Sequence, residues 1–224
     1  MRALFSLIMF LLTSLMFIGG FIYFMARLFS QINFGPETRA WKSTLEALRN
    51  RLKKMTPGAL VPWDKEMPAL LSLNQSIVKK PGFFNPSYSG VFMTIYQEPA
   101  LAYAGIRNNN TGVLVVQTSD REFIFRQKGK ETEIWINTQP FGVFVDGALI
   151  AAGRNGKLMG RLETEQGAVQ FPVLLGEKTA AAVSNPALVL GSTPNPRAMT
   201  LLRDLSLEEE NAVLSMAILQ MVVR

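Results

Sequence analysis

Two carboxylates, Glu163 and Glu165, are the side chains of this 224-residue sequence best spaced for acid–base chemistry. Residues two apart on a β-strand point to the same face, so the pair could supply a general acid and a general base. The chain contains no histidine and no cysteine, which excludes Ser-His-Asp triads, thiolate nucleophiles, imidazole metal sites and cysteine-bound zinc. Charges at the solvated edge of a sheet explain the pair more simply. We therefore predict a non-enzymatic protein with no catalytic residue, no metal site and no cofactor.

A second candidate for chemistry is the stretch GRNGKLMG, residues 153–160, which looks like a phosphate-binding loop. That pattern requires glycine where Ala151 stands, and serine or threonine where Leu158 stands. Asn155-Gly156 between two apolar runs is instead a strong signal for a hairpin turn. The sequence therefore predicts a turn here and no nucleotide site.

The first element that could position a functional surface is an apolar segment near the N-terminus. Between Arg2 and Arg27 lie 24 uncharged residues, ALFSLIMFLLTSLMFIGGFIYFMA. As a helix they would extend roughly 36 Å, against about 30 Å for the hydrocarbon core of a bilayer. A cleaved signal peptide has a shorter apolar region and a small-x-small site, and a buried core helix is a further alternative. We predict a single transmembrane anchor within residues 1–29.

The positive charge of the chain lies beside this segment. Residues 1–54 carry eight basic and two acidic side chains, 8 − 2 = +6, so the other 170 residues carry 15 of each. A globular region without net positive charge lacks the electrostatic footprint of a nucleic-acid-binding protein. We expect no nucleic acid partner. The basic residues after the anchor favour a cytoplasmic domain, whereas Arg2 before it leaves a periplasmic or lumenal domain as the alternative.

The basic segment, residues 30–56, is predicted to form an amphipathic helix. Its apolar residues recur at helical spacing: Trp41, Leu45, Leu48, Leu52 and Met55. Such a helix could lie on an anionic membrane surface, pack on the following domain, or pair with a second copy of the chain as a coiled coil. The candidate membrane-contact residues are Arg39, Trp41, Lys42, Arg49, Arg51, Lys53 and Lys54.

The rest of the chain is predicted to be a proline-bearing connector, residues 57–86, and a mainly β domain, residues 87–224. The domain contains nine apolar runs, YSGVFMTIY, ALAYAGI, GVLVVQT, EFIFR, TEIWI, FGVFVD, ALIAAG, KLMGRLE and VQFPVLL. Turn signals such as Asp146-Gly147 and Gln166-Gly167 separate them. Short strands with these turns predict an antiparallel sandwich or barrel.

A C-terminal helix follows the strands. Ser206 and Glu209 form a capping box at its start. The segment is apolar all round and too short to cross a bilayer, so it must be buried in protein. A barrel closed around it would bury the helix residues Ala212, Val213, Leu214, Met216, Ala217, Ile218, Leu219, Met221 and Val222.

This layout resembles the tubby-like superfamily, which includes tubby C-terminal domains, phospholipid scramblases and LURP-one-related proteins. The residues that carry the likeness are PFGVFVDGALIAAGRNGKLMGRLE and LSLEEENAVLSMAILQMVVR, and it covers about Ser87 to Arg224. The resemblance implies a membrane-associated, usually non-enzymatic barrel of roughly twelve strands around a hydrophobic helix. The cysteine-rich segments of scramblases and the basic cluster of the tubby phosphoinositide pocket have no counterpart here, so neither activity carries over.

We expect a membrane-anchored binding or scaffolding module, a subunit of a membrane protein assembly. Its expected partners are the lipid bilayer and other membrane proteins, with a second copy of the chain as a further candidate. A phospholipid-sensing or scramblase-like protein is the first alternative, and a carboxylate-based enzyme is the second.

Overall fold

A computed structural model describes Met16, residues 19–20 and the ranges 38–56, 58–80, 87–108, 111–153, 156–190 and 194–222. The chain divides into two compact units, Met1–Ala47 and Leu48–Arg224. Apart from Met16 and residues 19–20, the transmembrane anchor predicted for residues 1–29 lies outside the described residues. Within the described ranges, no helix is both long and apolar enough to cross a membrane.

The second unit is built on one antiparallel sheet of twelve strands, in which each strand pairs with its neighbours in the sequence. The sheet nearly closes on itself, because Ser72 on the first strand bridges to Arg197, just before the last. The mainly β fold and the antiparallel barrel are thus confirmed. The strands are β1 Leu71–Lys80, β2 Ser87–Thr94, β3 Pro99–Asn108, β4 Thr111–Gln117, β5 Glu122–Lys128, β6 Glu131–Ile136, β7 Gln139–Val145, β8 Ala148–Ala151, β9 Leu158–Leu162, β10 Gln170–Leu175, β11 Lys178–Ser184 and β12 Met199–Leu201.

The described residues include two long helices, the basic helix, Arg39–Met55, and the C-terminal helix, Leu207–Val222. The capping box begins the C-terminal helix, because the Ser206 N–H donates to Glu209 Oε2 (2.9 Å) and the Glu209 N–H donates to Ser206 Oγ (3.4 Å). Single-turn helices occupy Met67–Leu70 and Pro186–Val189.

The C-terminal helix lies in the core of the barrel. Its side chains share one apolar cluster with inward-facing residues from both halves of the sheet, such as Leu71, Phe125 and Val183. Among the predicted helix residues, Val222 is half-buried and the others are buried, namely Ala212, Val213, Leu214, Met216, Ala217, Ile218, Leu219 and Met221. Apolar side chains therefore surround the helix, as its composition requires.

Small residues make room for the helix where it contacts β9 and β11. A Cβ atom on Gly160 would lie 3.1 Å from Met216 Cε and 2.7 Å from Leu175 Cδ2. On β11, Ala180 and Ala181 are fully buried. The close approach therefore depends on short side chains in these strands.

The predicted connector, residues 57–86, differs from the observed structure because it contains the whole of β1. LSLNQSIVKK contains one Ile, one Val and no Phe in ten residues, a smaller share than in most of the predicted strands, and three prolines precede it. Its strand conformation comes from pairing with β2 and from two hydrogen bonds, Leu73 N–H to Pro196 O (2.8 Å) and Ala198 N–H to Leu71 O (2.7 Å). The barrel therefore begins at Leu71.

Candidate functional site

The second half of the basic helix packs on the outer wall of the barrel. Leu48 and Leu52 are buried. Arg49 makes a bidentate bond to Glu122 at the start of β5, with Nε to Oε2 at 2.8 Å and Nη2 to Oε1 at 2.6 Å. These hydrogen bonds raise the pKa of the Arg49 guanidinium above its ordinary value. Arg51 Nη2 donates to the Val78 carbonyl on β1 at 3.4 Å. The two arginines thus attach the helix at two separate strands.

Apolar residues on the outer wall explain why this helix packs there. Leu114 points into the core, so Val113 and Val115 on either side of it point outward. They are nevertheless buried, as are other outward residues of neighbouring strands. This outer patch comprises Val91, Ala102, Ala104, Val113, Val115 and Ile124. For Leu48 and Leu52, the structure therefore shows packing against protein.

The seven predicted membrane-contact residues occupy different positions along the helix. Arg49 and Arg51 are half-buried and bonded to the barrel, as described above. Lys53 and Lys54 are exposed in the last turn, and Arg39 and Lys42 are exposed in the first turns. Trp41 lies on the same helix face as Leu48 and Leu52, at helical spacing.

A buried charged junction lies at the start of the C-terminal helix. Glu210 Oε1 accepts a hydrogen bond from Trp63 Nε1 (2.9 Å) and forms an ion pair with Arg121 Nη2 (3.2 Å). Arg121 Nη1 also donates to Asn211 Oδ1 (2.6 Å), and the Trp63 N–H donates to Ser119 Oγ (2.8 Å). The Glu210 junction thus joins the connector, the β4–β5 turn and the helix. Sequence reasoning missed it, although a tryptophan within a proline-bearing connector is a usable signal.

Both partners of this ion pair are well shielded, since the side chains of Arg121 and Glu210 are each 8% exposed. Arg121 Nη2 also pairs with Asp120 Oδ2 at 2.8 Å. Burial alone raises the pKa of Asp120, but hydrogen bonds from Arg121 and Thr118 outweigh it, so this pKa lies below its ordinary value. The junction has the satisfied geometry that a buried charge requires, which indicates a structural role.

Two tyrosines lie inside the barrel, each opposite a glycine on the neighbouring strand. Tyr88 pairs with Gly105 and Tyr103 with Gly90, and the ring centroids are 6.4 Å apart. The Tyr103 hydroxyl donates to Gln75 Oε1 at 2.6 Å. Burial raises the pKa of both phenols to about 12. Both therefore stay protonated at neutral pH and are poor candidates for a general base.

A small cleft adjoins Tyr88, between Leu114, Gln127, Thr132 and Leu219. Its volume is about 10 Å³, which is room for about one water molecule. The cleft is therefore too small for a metabolite.

The predicted carboxylate pair does not lie on a strand. Glu163 and Glu165 are exposed residues in the loop that follows β9. Among the described residues, no group of three or more aspartate, glutamate, histidine or cysteine side chains could hold a metal ion. Charged side chains pair in several other places: Arg49 with Glu122, Arg126 and Lys128 with Glu133, Arg203 with Glu209, and the residues of the Glu210 junction. Comparison of the chain with protein-family models, with curated proteins and with solved structures found no match.

Proposed function

We propose that this protein is a membrane-anchored, non-enzymatic binding or scaffolding module that serves as a subunit of a membrane protein assembly. The observation that carries the proposal is the barrel interior, which its own C-terminal helix and apolar side chains fill. A filled interior leaves the outer wall and the two ends of the barrel as the surfaces for a partner. The 24 uncharged residues near the N-terminus supply the anchor in this proposal.

A phospholipid-sensing protein is the second candidate, favoured by the exposed side chains of Lys53 and Lys54. Membership of the tubby-like superfamily is part of the same proposal. The twelve-stranded antiparallel barrel and the buried C-terminal helix support it at the level of architecture. A shared architecture carries no activity with it, so function must be tested directly.

Alkaline extraction of membranes from cells that make the full chain tests the anchor. We expect the chain to stay with the membranes, whereas a matched chain without residues 1–29 is released. Native electrophoresis after mild detergent tests the assembly, and we expect a complex larger than the purified chain. A released full chain, or one that migrates as the purified chain does, contradicts the proposal. Turnover of a substrate that Glu163→Gln abolishes would establish an enzyme instead.

A further inference from the structure

The contact between Arg51 and the Val78 carbonyl brings two basic stretches of the sequence to one place. The first is RNRLKK, residues 49–54, at the end of the basic helix. The second is the end of β1, where Lys79 and Lys80 directly follow Val78. Arg51 and Val78 are 27 residues apart in the sequence, and their contact makes the end of the basic helix and the end of β1 neighbours. We name the exposed part of this region, Lys53, Lys54 and Val78, the cationic edge.

The cationic edge combines positive charge with an exposed apolar side chain. Lys53 and Lys54 are exposed, on the side of the helix that faces away from Leu48 and Leu52. Val78 points outward from β1 and is 47% exposed. Exposed lysines together with an exposed apolar residue are typical of surfaces that meet anionic headgroups and the acyl boundary.

We propose that the cationic edge docks on an anionic lipid surface and so fixes the orientation of the barrel against the membrane. The inference rests on the proposed anchor. The chain from Arg27 to Arg39 can extend at most about 40 Å, which keeps the basic helix within reach of the bilayer. The 170 residues beyond position 54 have no net charge, so the excess positive charge of the chain lies in residues 1–54, which include Lys53 and Lys54. The exposed Val78, at the strand end that Arg51 contacts, favours a lipid surface over a nucleic acid, whose backbone offers only charge.

In the docked state, the basic residues of the helix have different roles. Arg49 stays with Glu122 and holds the helix on the barrel, since its bidentate bond already uses the guanidinium. Lys53 and Lys54 contact the lipid. Each lysine near an anionic surface shifts the ratio of docked to undocked protein about fivefold, so the pair contributes about 25-fold at low salt.

Energy transfer between the barrel and the lipid tests this proposal. The chain has no cysteine, so Asn50→Cys places one fluorescent donor on the exposed side of the basic helix of the full chain. The labelled protein is reconstituted into vesicles that carry an acceptor lipid, made of phosphatidylcholine alone or of phosphatidylcholine with phosphatidylserine. We expect greater transfer with phosphatidylserine, and the excess should disappear in high salt because the Debye length shortens.

The decisive variant is Lys53→Gln with Lys54→Gln, which should remove most of the excess transfer. The matched control is Lys157→Gln with Lys178→Gln, which should leave the excess transfer unchanged; both lysines are exposed, one just before β9 and the other at the start of β11. Val78→Thr keeps the β-branched shape and removes apolar contact, so transfer should fall partly. The inference is overturned if energy transfer is equal in both lipids, or if both pairs of lysine substitutions reduce it equally. Tighter binding to a short DNA duplex than to vesicles with phosphatidylserine also overturns it.

The two proposals fail in different ways. A chain that resists alkaline extraction but shows the same transfer in both lipids is anchored and lacks the docking edge. A chain that alkali releases from phosphatidylcholine vesicles, yet binds vesicles with phosphatidylserine, has the docking edge and lacks the anchor.

Discussion

Truncation of one buried leucine of the C-terminal helix measures how much stability the filled barrel gives. Leu214 is 0% exposed and belongs to the central apolar cluster. Leu214→Ala removes three carbon-sized groups at about 0.8 kcal/mol each, about 2.4 kcal/mol of transfer free energy. The cavity left among packed side chains raises the cost to about 3–5 kcal/mol. We expect the free energy of unfolding to fall by that amount.

Leu207 provides the matched control, because it lies on the same helix and is 66% exposed. Leu207→Ala should change the free energy of unfolding by less than about 0.5 kcal/mol. Both free energies are measured by urea denaturation of the full chain in detergent, with tryptophan fluorescence as the signal. All variants are fitted with the same dependence of unfolding free energy on urea concentration. Equal effects of the two substitutions would refute the placement of the helix in the core.

Three further predictions concern the wall and the ends of the barrel. Gly105→Ala should destabilise the fold by about 1–3 kcal/mol in urea denaturation, because the added Cβ would lie 2.6 Å from Tyr88 Cζ; an unchanged midpoint would count against the tight glycine–tyrosine pair. Hydrogen bonds from Arg203 and Ser206 lower the pKa of Glu209 to about 2. The stability that the ionised Glu209 adds to the fold should therefore be complete above about pH 4.5 and lost as the pH falls towards 2. Thermal unfolding of Glu209→Gln across that range should show a shallower pH dependence than the wild type, and parallel curves would contradict this. A double-mutant cycle on Arg49 and Glu122 should give a coupling of about 0.5–1 kcal/mol that salt weakens, since both side chains are partly exposed; zero coupling at low salt would disprove the attachment.

The alternation of apolar and polar residues predicted most of the barrel. A strand with one buried face shows a period of two, and turn residues mark where it ends. Asp146-Gly147 illustrates this, because both residues have the positive φ angles, 47° and 80°, that the predicted turn requires. Asn137 and Thr138 also have positive φ angles. The turn at Asn137 and Thr138 was not predicted, because a β-branched residue such as threonine rarely adopts a positive φ angle.

The strand β11 was missed for a different reason. Its sequence, KTAAAVS, is rich in alanine, which is a poor strand former. The structure explains the alanines: Ala180 and Ala181 are fully buried where the C-terminal helix contacts this strand, so larger side chains would not fit there. Local propensity cannot register a requirement that another element imposes from inside the barrel.

The contacts of the candidate site lay beyond sequence reasoning because they join distant parts of the chain. Arg49 and Glu122 are 73 residues apart, and Trp63 and Glu210 are 147 residues apart. The basic character of the helix was visible in the sequence, but the arginines that bond to the barrel could not be told from the exposed lysines. That distinction depends on which strand lies beneath each turn of the helix.

The order of the strands also bears on how the protein is made. Each strand pairs with the one synthesised just before it, so the sheet can grow as the chain leaves the ribosome. The helix that fills the interior, Leu207–Val222, emerges only after all twelve strands. Until then the inward apolar side chains have no central partner, which is a state prone to aggregation. We therefore expect nascent chains to rely on chaperones until this helix has emerged, and a premature stop before Leu207 to yield a degraded product.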